Sequence, residues 1–328
     1  MHILGIETSC DETSVALLDD GRIVANEIYS QEVHSAFGGV VPEMASRAHI
    51  GKIDALCGAL FAKNGVTVDA IDLIAVTDRP GLAGALLVGI SFALGLHCGN
   101  NLPITGINHL EGHICSLFFD HPGVSPPFLA LVVSGGHTSI YKVEDFGVYT
   151  RLGQTIDDAA GEAFDKIGKL LGFAYPAGKS IEREAARAFP ATLITFPVAR
   201  VSSSPLDFSF SGLKTAVKYY LREKGPEYVK DNRPLICASF QKSLVDSLVN
   251  NMALAVRQTG IKTVAVVGGV ACNTYVRMRM NEALDGDVFF PSPALCTDNA
   301  AMIARAGYER GKRALLRPPS MSPSAALE

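Results

Sequence analysis

The sequence predicts a duplicated α/β fold, two lobes facing a central cleft, and three observations predict it. A β-meander opens each half of the chain. Each half also carries a strand that runs through a glycine-bearing loop into a helix. The composition, 48% hydrophobic and 19% charged over 328 residues, is that of a compact protein with core enough for two domains or one large two-lobed domain.

In the first half, Ile3 to Ile6 is an apolar run, Glu7 to Thr13 a polar turn and Ser14 to Leu18 a second apolar run; Asp19-Asp20-Gly21 then turns the chain into Ile23 to Ile28. Glu43 to Ala62 reads as a helix. Leu73 to Val76 leads through Thr77 to Gly84 into a helix over Leu82 to Leu96. The second half repeats the plan with Phe128 to Val133, the turn Ser134 to Thr138, and Ser139 to Val143. Thr263 to Val267 then passes through Gly268-Gly269 into an Asn273 to Leu284 helix. Between these lie a helix over Asp158 to Leu171, with Ala160, Phe164, Ile167 and Leu171 on one face, and another over about Leu235 to Thr259. Pro197 to Ser211 reads as a loop, and the Pro/Ser/Ala-rich stretch from Pro318 on is expected to fray. The expected lobes are 1–126 and 127–328, the second with a helical insertion at about 155–260.

Composition also narrows the function classes. The net charge of −4 gives no global attraction to nucleic acid, so a polyanion would need a local basic patch. The seven cysteines form no C-x-x-C pair, which reads as a reduced, cytosolic thiol set. The N-terminus shows no basic leader segment, so no signal peptide is expected. Pro80 to Asn101, uncharged, is the one membrane candidate. Its Pro-Gly start straight after a strand and its glycines fit a buried helix better, so no membrane span is expected.

Asn108-His109-Leu110-Glu111-Gly112-His113 follows the strand-like Ile104 to Ile107 and opens a helix. Residues four apart share a helix face, about 5–6 Å between Cβ atoms, so His109 and His113 suit one metal ion, with a third ligand to come from elsewhere. Glu111 points to roughly the opposite face, and with Asn108 as N-cap it resembles a capping box. A zincin places its Glu directly after the first His, where Leu110 stands here.

Two polar hairpin turns facing a cleft are the plan of the actin, sugar kinase and heat-shock ATPase (ASKHA) class, in which such turns hold phosphates and a later Gly-Gly loop holds adenosine. Ser134-Gly135-Gly136 can form an anion-binding nest with glycines at positive φ, although the tripeptide alone is more simply an ordinary tight hairpin turn. There is no G-x-x-x-x-G-K-[ST]. The run Glu-Thr-Ser-Cys-Asp-Glu-Thr from Glu7 lacks the Asp and Gly that a kinase places there, which argues against simple phosphoryl transfer.

Seven segments together resemble the tRNA adenosine threonylcarbamoyltransferase (TsaD) family, in order from residue 3 to about 310. They are Gly5 to Thr13, Gly38 to Glu43, His109 to His113, Val133 to Thr138, Asp157 to Lys166, Phe208 to Lys214 and Cys296 to Asn299. The resemblance implies transfer of a threonylcarbamoyl group from threonylcarbamoyl-AMP to the exocyclic amine of adenosine 37, in tRNAs reading codons that begin with adenine. It implies one divalent metal, iron or zinc, on His109, His113 and Asp298. It places the turn Val132, Val133, Ser134, Gly135 and Gly136 on the acyl-adenylate, Asp165, Gly178 and Glu182 on the nucleotide's sugar, and Asn273 on its adenine. Asp11 or Glu12 would take the amine proton.

By resemblance the partners are tRNA, a paralogous subunit (TsaB) and an ATPase subunit (TsaE), in the cytoplasm, and the Glu43 to Ala62 or Leu82 to Leu96 helix would offer a partner face. Val132 stands where archaeal and eukaryotic relatives place a metal-binding tyrosine, so the chain looks bacterial in type. The tRNA is expected to meet a strip of Arg277, Arg279, Arg305, Arg310, Lys312, Arg313 and Arg317. The family was once described as a glycoprotein endopeptidase, so the competing readings are a metallopeptidase and an ATP-dependent small-molecule kinase or carbamoylating enzyme of the same fold.

Overall fold

The computed structural model describes residues 1–188, 193–198, 201, 204–324 and 326–327. The chain forms two compact units, one of Met1–Ser125, Asp145–Tyr149 and Ala294–Glu328, the other of Pro126–Glu144 and Thr150–Pro293.

The first unit begins with β1 (His2–Glu7), β2 (Glu12–Asp19), β3 (Arg22–Ser30), α1 (Pro42–Asn64), β4 (Leu73–Arg79), α2 (Ala83–Asn100), β5 (Ile104–Asn108) and α3 (His109–Asp120). Its sheet runs β3-β2-β1-β4-β5. β1 pairs antiparallel with β2 and parallel with β4, which pairs parallel with β5. β1 and β4 are apolar on both faces because helices cover both faces of the sheet. Leu4, Ile6, Val15 and Leu17 pack with Ile53 and Leu60 of α1 and Leu86 and Ile90 of α2.

The glycines of α2 are contact points. A Cβ on Gly89 would lie 2.3 Å from Thr8 Oγ1, and one on Gly84 2.4 Å from Ser46 Oγ. Among the described residues α2 is the one helix long and apolar enough to cross a membrane, yet Ala85, Leu86, Gly89, Ile90 and Ala93 bury a face of it in this core.

The second unit contains β6 (Phe128–Val133), β7 (Thr138–Asp145), β8 (Val148–Gln154), α4 (Ala160–Leu170), α5 (Gly178–Ala185), α6 (Ser211–Asp231), α7 (Arg233–Thr259), β9 (Thr263–Val267), α8 (Thr274–Ala283) and β10 (Asp287–Phe289). Its sheet runs β10-β9-β6-β7-β8, with β6 antiparallel to β7 and parallel to β9. That is the wiring of the first sheet again, a hairpin on one side of a central strand and parallel strands on the other, and it bears out the duplication. α5, α6 and β8 add to the elements the sequence predicts. In α6 the helical pattern is interrupted by Gly225, at φ 79°, and by Pro226, which hide its periodicity. Of the predicted 197–211 loop, residues 199, 200, 202 and 203 lie outside the described residues.

After the short α9 (Pro293–Cys296) the chain rejoins the first unit as α10 (Ala300–Lys312). α10 packs on β1, β2 and β4. The fit is close, since a Cβ on Gly5 would meet Ala300 O at 2.3 Å and one on Gly307 would meet Ala75 Cβ at 2.6 Å. By compactness, therefore, 294–328 lies with the first unit, whereas the lobe reading grouped it with 127–293.

The tail is not frayed, as its composition suggested. Arg317 grips the buried Asp78 carboxylate at 2.5 and 2.8 Å, Ser320 N donates to Asp78, and Gly81 N to Pro323 O. Asn108 Nδ2 donates to Ala326 O, and Leu327 is 2% exposed. Backbone and side-chain pairing hold a segment that local sequence could not. All seven cysteines are free thiols.

Candidate functional site

α3 starts where β5 ends. Asn108 caps it, its side chain accepting the Leu110 N–H at 2.9 Å. His109 and His113 follow on one face, and Asp298 comes from the turn before α10, whose N-cap is Asn299. Asp298 Oδ1 lies 3.5 Å from His109 Nε2 and 3.2 Å from His113 Nε2. One ligand atom from each residue falls within 4.8 Å of the others. Both imidazoles are buried, while the Asp298 side chain is 22% exposed, so one side of the cluster is open. Neither ring nitrogen of His113 has a hydrogen-bond partner. Buried polar atoms without partners are rare, and a cation held by two imidazoles and a carboxylate would explain Nε2, the nitrogen that faces Asp298.

Behind the cluster lies a residue whose role the sequence did not reveal. Glu7 Oε2 is 3.0 Å from His109 Nδ1 and accepts Thr77 Oγ1 at 2.7 Å, while Oε1 accepts the Ser9 N–H at 2.5 Å. Ser9 Oγ is 3.1 Å from the same His109 nitrogen. A carboxylate behind an imidazole fixes its orientation and raises its basicity as a ligand. Burial pushes the Glu7 carboxyl up, but His109 and the Ser9 side chain more than offset it and leave it below its ordinary value. Burial opposes charge on His109, yet Asp298 and Glu7 outweigh it and raise that imidazole well above the usual range. Burial would raise Asp298, but His109 and His113 hold it well below the carboxylate range. Burial keeps His113 neutral by lowering it. The cluster thus holds one proton, on His109, between two carboxylates.

Glu111 does not close the expected capping box. It is 1% exposed, and its carboxylate takes Arg310 Nε at 3.0 Å to each oxygen, Arg310 Nη2 at 2.9 Å and the Tyr149 hydroxyl at 3.1 Å. This pairing locks α3, which carries both histidines, to α10, which follows Asp298.

Asp11 and Glu12 occupy the first hairpin turn and the start of β2. Burial, then the charges of Asp298 and Asp11, push Glu12 up to about 10, so with no cation beside it Glu12 is protonated at neutral pH. His49 Nε2 lies 2.9 Å from Cys10 O, and its Nδ1 is 2.8 Å from Thr13 Oγ1, which steadies that turn.

The second unit carries the remaining predicted site residues. Val132 and Val133 are fully buried on β6, so only their backbone can face a ligand. Gly135 and Gly136 do not sit at positive φ, contrary to the nest expected there, and a Cβ on either would meet open space. What shapes the turn is its neighbours: a Cβ on Gly161 of α4 would lie 2.6 Å from Ser134 O, and one on Gly268, at φ 96°, would lie 2.5 Å from Val133 O. Asp165 accepts the Ala177 N–H at 2.7 Å, just before Gly178 opens α5. Glu182 accepts Thr274 N at 2.7 Å. Asn273 caps α8 through Tyr275 N and Val276 N and donates to Gln241. All three polar side chains therefore hold their own loops in place.

The predicted cationic strip is engaged within the protein. Arg305 and Arg313 pair with Glu309, Arg310 with Glu111, Arg317 with Asp78 and Arg279 with Glu282 and Asp246, while Arg277 donates to Ala271 O and Pro291 O. Lys312 lies over the Tyr308 ring. Sequence spacing shows where cations cluster but not the buried carboxylates that meet them.

Among solved structures, HypF from T. kodakarensis superposes with a TM-score of 0.65 at 13% identity, covering 95% of this chain and 48% of that one. The (R)-2-hydroxyglutaryl-CoA dehydratase component A of Acidaminococcus fermentans does so with a TM-score of 0.57 at 18% identity, over 95% and 99%. These likenesses and the two repeated sheets give the fold as the duplicated ASKHA type. In sequence, the tRNA N6-adenosine threonylcarbamoyltransferase of Geobacter sp. (strain M21) is 49% identical over 94% of this chain and 90% of its own length. That of Thermotoga neapolitana is 46% identical over 97% of each. The family model for tRNA N6-adenosine threonylcarbamoyltransferase matches residues 22–305. Identity at this level along nearly the whole chain makes it a member of the tRNA N6-adenosine threonylcarbamoyltransferase family.

Proposed function

We propose that this chain transfers a threonylcarbamoyl group from threonylcarbamoyl-AMP to the N6 amine of adenosine 37 in tRNAs that read codons beginning with adenine. The observation that carries the reading is the buried His109, His113 and Asp298 set with Glu7 behind it, in a chain of this family. These three residues would hold one divalent ion, iron or zinc. When bound, the ion supplies Lewis-acid polarisation of the carbamoyl carbonyl.

Glu7 keeps the His109 ring turned toward the open side. The backbone of Val132 to Gly136 holds the acyl-adenylate, an assignment supported by the open space over Gly135 and Gly136. Asp165, Gly178 and Glu182 shape the sugar pocket, and Asn273 sets the loop against the adenine. Asp11 or Glu12, at the first hairpin turn, takes the proton of the attacking amine. AMP leaves readily, so positioning contributes more than strong base catalysis.

A paralogous subunit and an ATPase subunit act with the chain in the cytoplasm. Ile50 on α1 and Leu87 and Leu94 on α2 are exposed, as a partner face on these helices requires. The peptidase reading lacks its base, because Glu111 is tied to Arg310.

The test is nucleoside analysis of tRNA from cells whose only copy is His113→Ala, alongside metal content of the purified variant. Threonylcarbamoyladenosine should disappear and bound metal should fall severely while the fold is kept. Normal modification together with wild-type metal content overturns the assignment.

A further inference from the structure

Arg305 and Arg310 of α10 are paired with Glu309 and Glu111, and the chain has a net charge of −4, so contact with a polyanionic substrate calls for a basic surface elsewhere. The second unit has one. A cavity of about 450 Å³ lies among the end of α4, both halves of α6 and the first turn of α7. Leu171, Leu221 and Val229 give it apolar walls, and Lys218, Arg222, Lys230 and Arg233 surround them.

The charges are arranged at a cost that folding alone does not explain. Lys218 and Arg222 are four residues apart on one helix, a like-charge spacing that destabilises it by a few tenths of a kcal/mol, about 0.2–0.5. The break at Gly225 and Pro226 then brings Lys230 to the same cavity. Among the described residues no carboxylate comes within 4.0 Å of Lys218, Arg222 or Lys230. Glu223, next to Arg222, turns about 100° round the helix and pairs with Lys224. Arg233 packs its guanidinium over the Phe173 ring at 5.2 Å, stays 3.7 Å from Glu184, and its buried Nε has no hydrogen-bond partner.

We propose that this cavity docks the phosphodiester backbone of the tRNA substrate, with Lys218, Arg222 and Lys230 on phosphates. The site rests on the transferase reading above and adds to it where the RNA lies. Spaced, unneutralised cations on a helix suit a phosphate backbone. Such contacts confer affinity and register rather than sequence choice.

The test measures tRNA binding by the full-length protein across a salt series, for wild type and for Lys218→Gln/Arg222→Gln/Lys230→Gln. The slope of log K against log salt should flatten by about 2–3, at about 0.7–0.9 per lost phosphate contact, and affinity at low salt should fall at least about tenfold. Metal content and melting temperature should not move, and Lys218→Arg/Lys230→Arg should keep the wild-type slope. An unchanged slope in a triple variant whose wild type binds tRNA overturns this site and leaves the transferase reading intact. Weaker affinity with an unchanged slope also overturns it, as does loss of an acidic protein partner with tRNA binding intact. A wild type that neither binds tRNA nor forms threonylcarbamoyladenosine overturns both.

Discussion

Arg310→Ala removes the cation that faces Glu111, and the structure sets the size of the effect. Glu111 is 1% exposed and the Arg310 side chain 13%, so neither group is screened by water. Three close contacts from Nε and Nη2 and one from the Tyr149 hydroxyl satisfy the carboxylate. Breaking a buried pair by deleting one partner costs about 3–5 kcal/mol, because the other charge stays buried alone. Replacing both partners by apolar groups of similar volume is often close to neutral. Glu111→Leu/Arg310→Met should therefore recover most of the loss, except the ~1–3 kcal/mol for a Tyr149 hydroxyl with no acceptor. Adding Tyr149→Phe should recover that too. The assay is urea unfolding of the metal-free protein followed by circular dichroism, since the chain contains no tryptophan to report by fluorescence. A cost below about 1 kcal/mol for Arg310→Ala, or a double variant as unstable as the sum of its singles, would refute the reasoning.

Two further outcomes follow from the metal centre. Glu7→Gln keeps the shape behind His109 but removes the charge; metal affinity should fall about 10–100-fold in chelator competition with the fold unchanged, and an unaltered affinity removes Glu7 from the centre. His109 keeps its proton because Asp298 and Glu7 outweigh its burial, and an incoming ion must displace that proton. Apparent metal affinity should therefore fall as pH falls, about tenfold per unit while His109 holds its proton; His113, neutral already, adds no proton to this slope. A flat affinity across neutral pH would contradict the His109 assignment.

What could be read in the sequence was short in range. The hairpins of β1–β2 and β6–β7 and the His109/His113 spacing are set by alternation and helical period, which act over a few residues. Asp298 was reachable because a family motif, Cys296 to Asn299, carries it. Glu7 was not assigned: its partner His109 lies 102 positions on, and nothing local distinguishes a buried carboxylate from the rest of a polar turn. Glu111 misled for the same reason. Its N3 place in α3 suggested a cap, whereas its partner is 199 positions away. The cations of α10 looked like a surface strip because charge content is visible in a sequence and pairing is not. α6 is hidden from pattern reading because Gly225 and Pro226 break its period, and the composition of the tail points to a loose end because its anchors, Asp78 and Asn108, belong to other elements.

The way α10 completes the first unit bears on how the protein is made. β1 to β5 and both histidines leave the ribosome early, yet α10, which packs against Gly5 and Ala75 of their sheet, comes late in the chain. All of 126–293, which contains the whole second unit, is synthesised in between. Until then the first sheet lacks its α10 packing and the cluster lacks Asp298, so the nascent chain carries two histidines without the third member of the set. A cation site that needs all three residues is complete only once the chain beyond residue 298 has been made. A chain that stalls earlier exposes apolar sheet to chaperones and proteases rather than a half-active enzyme.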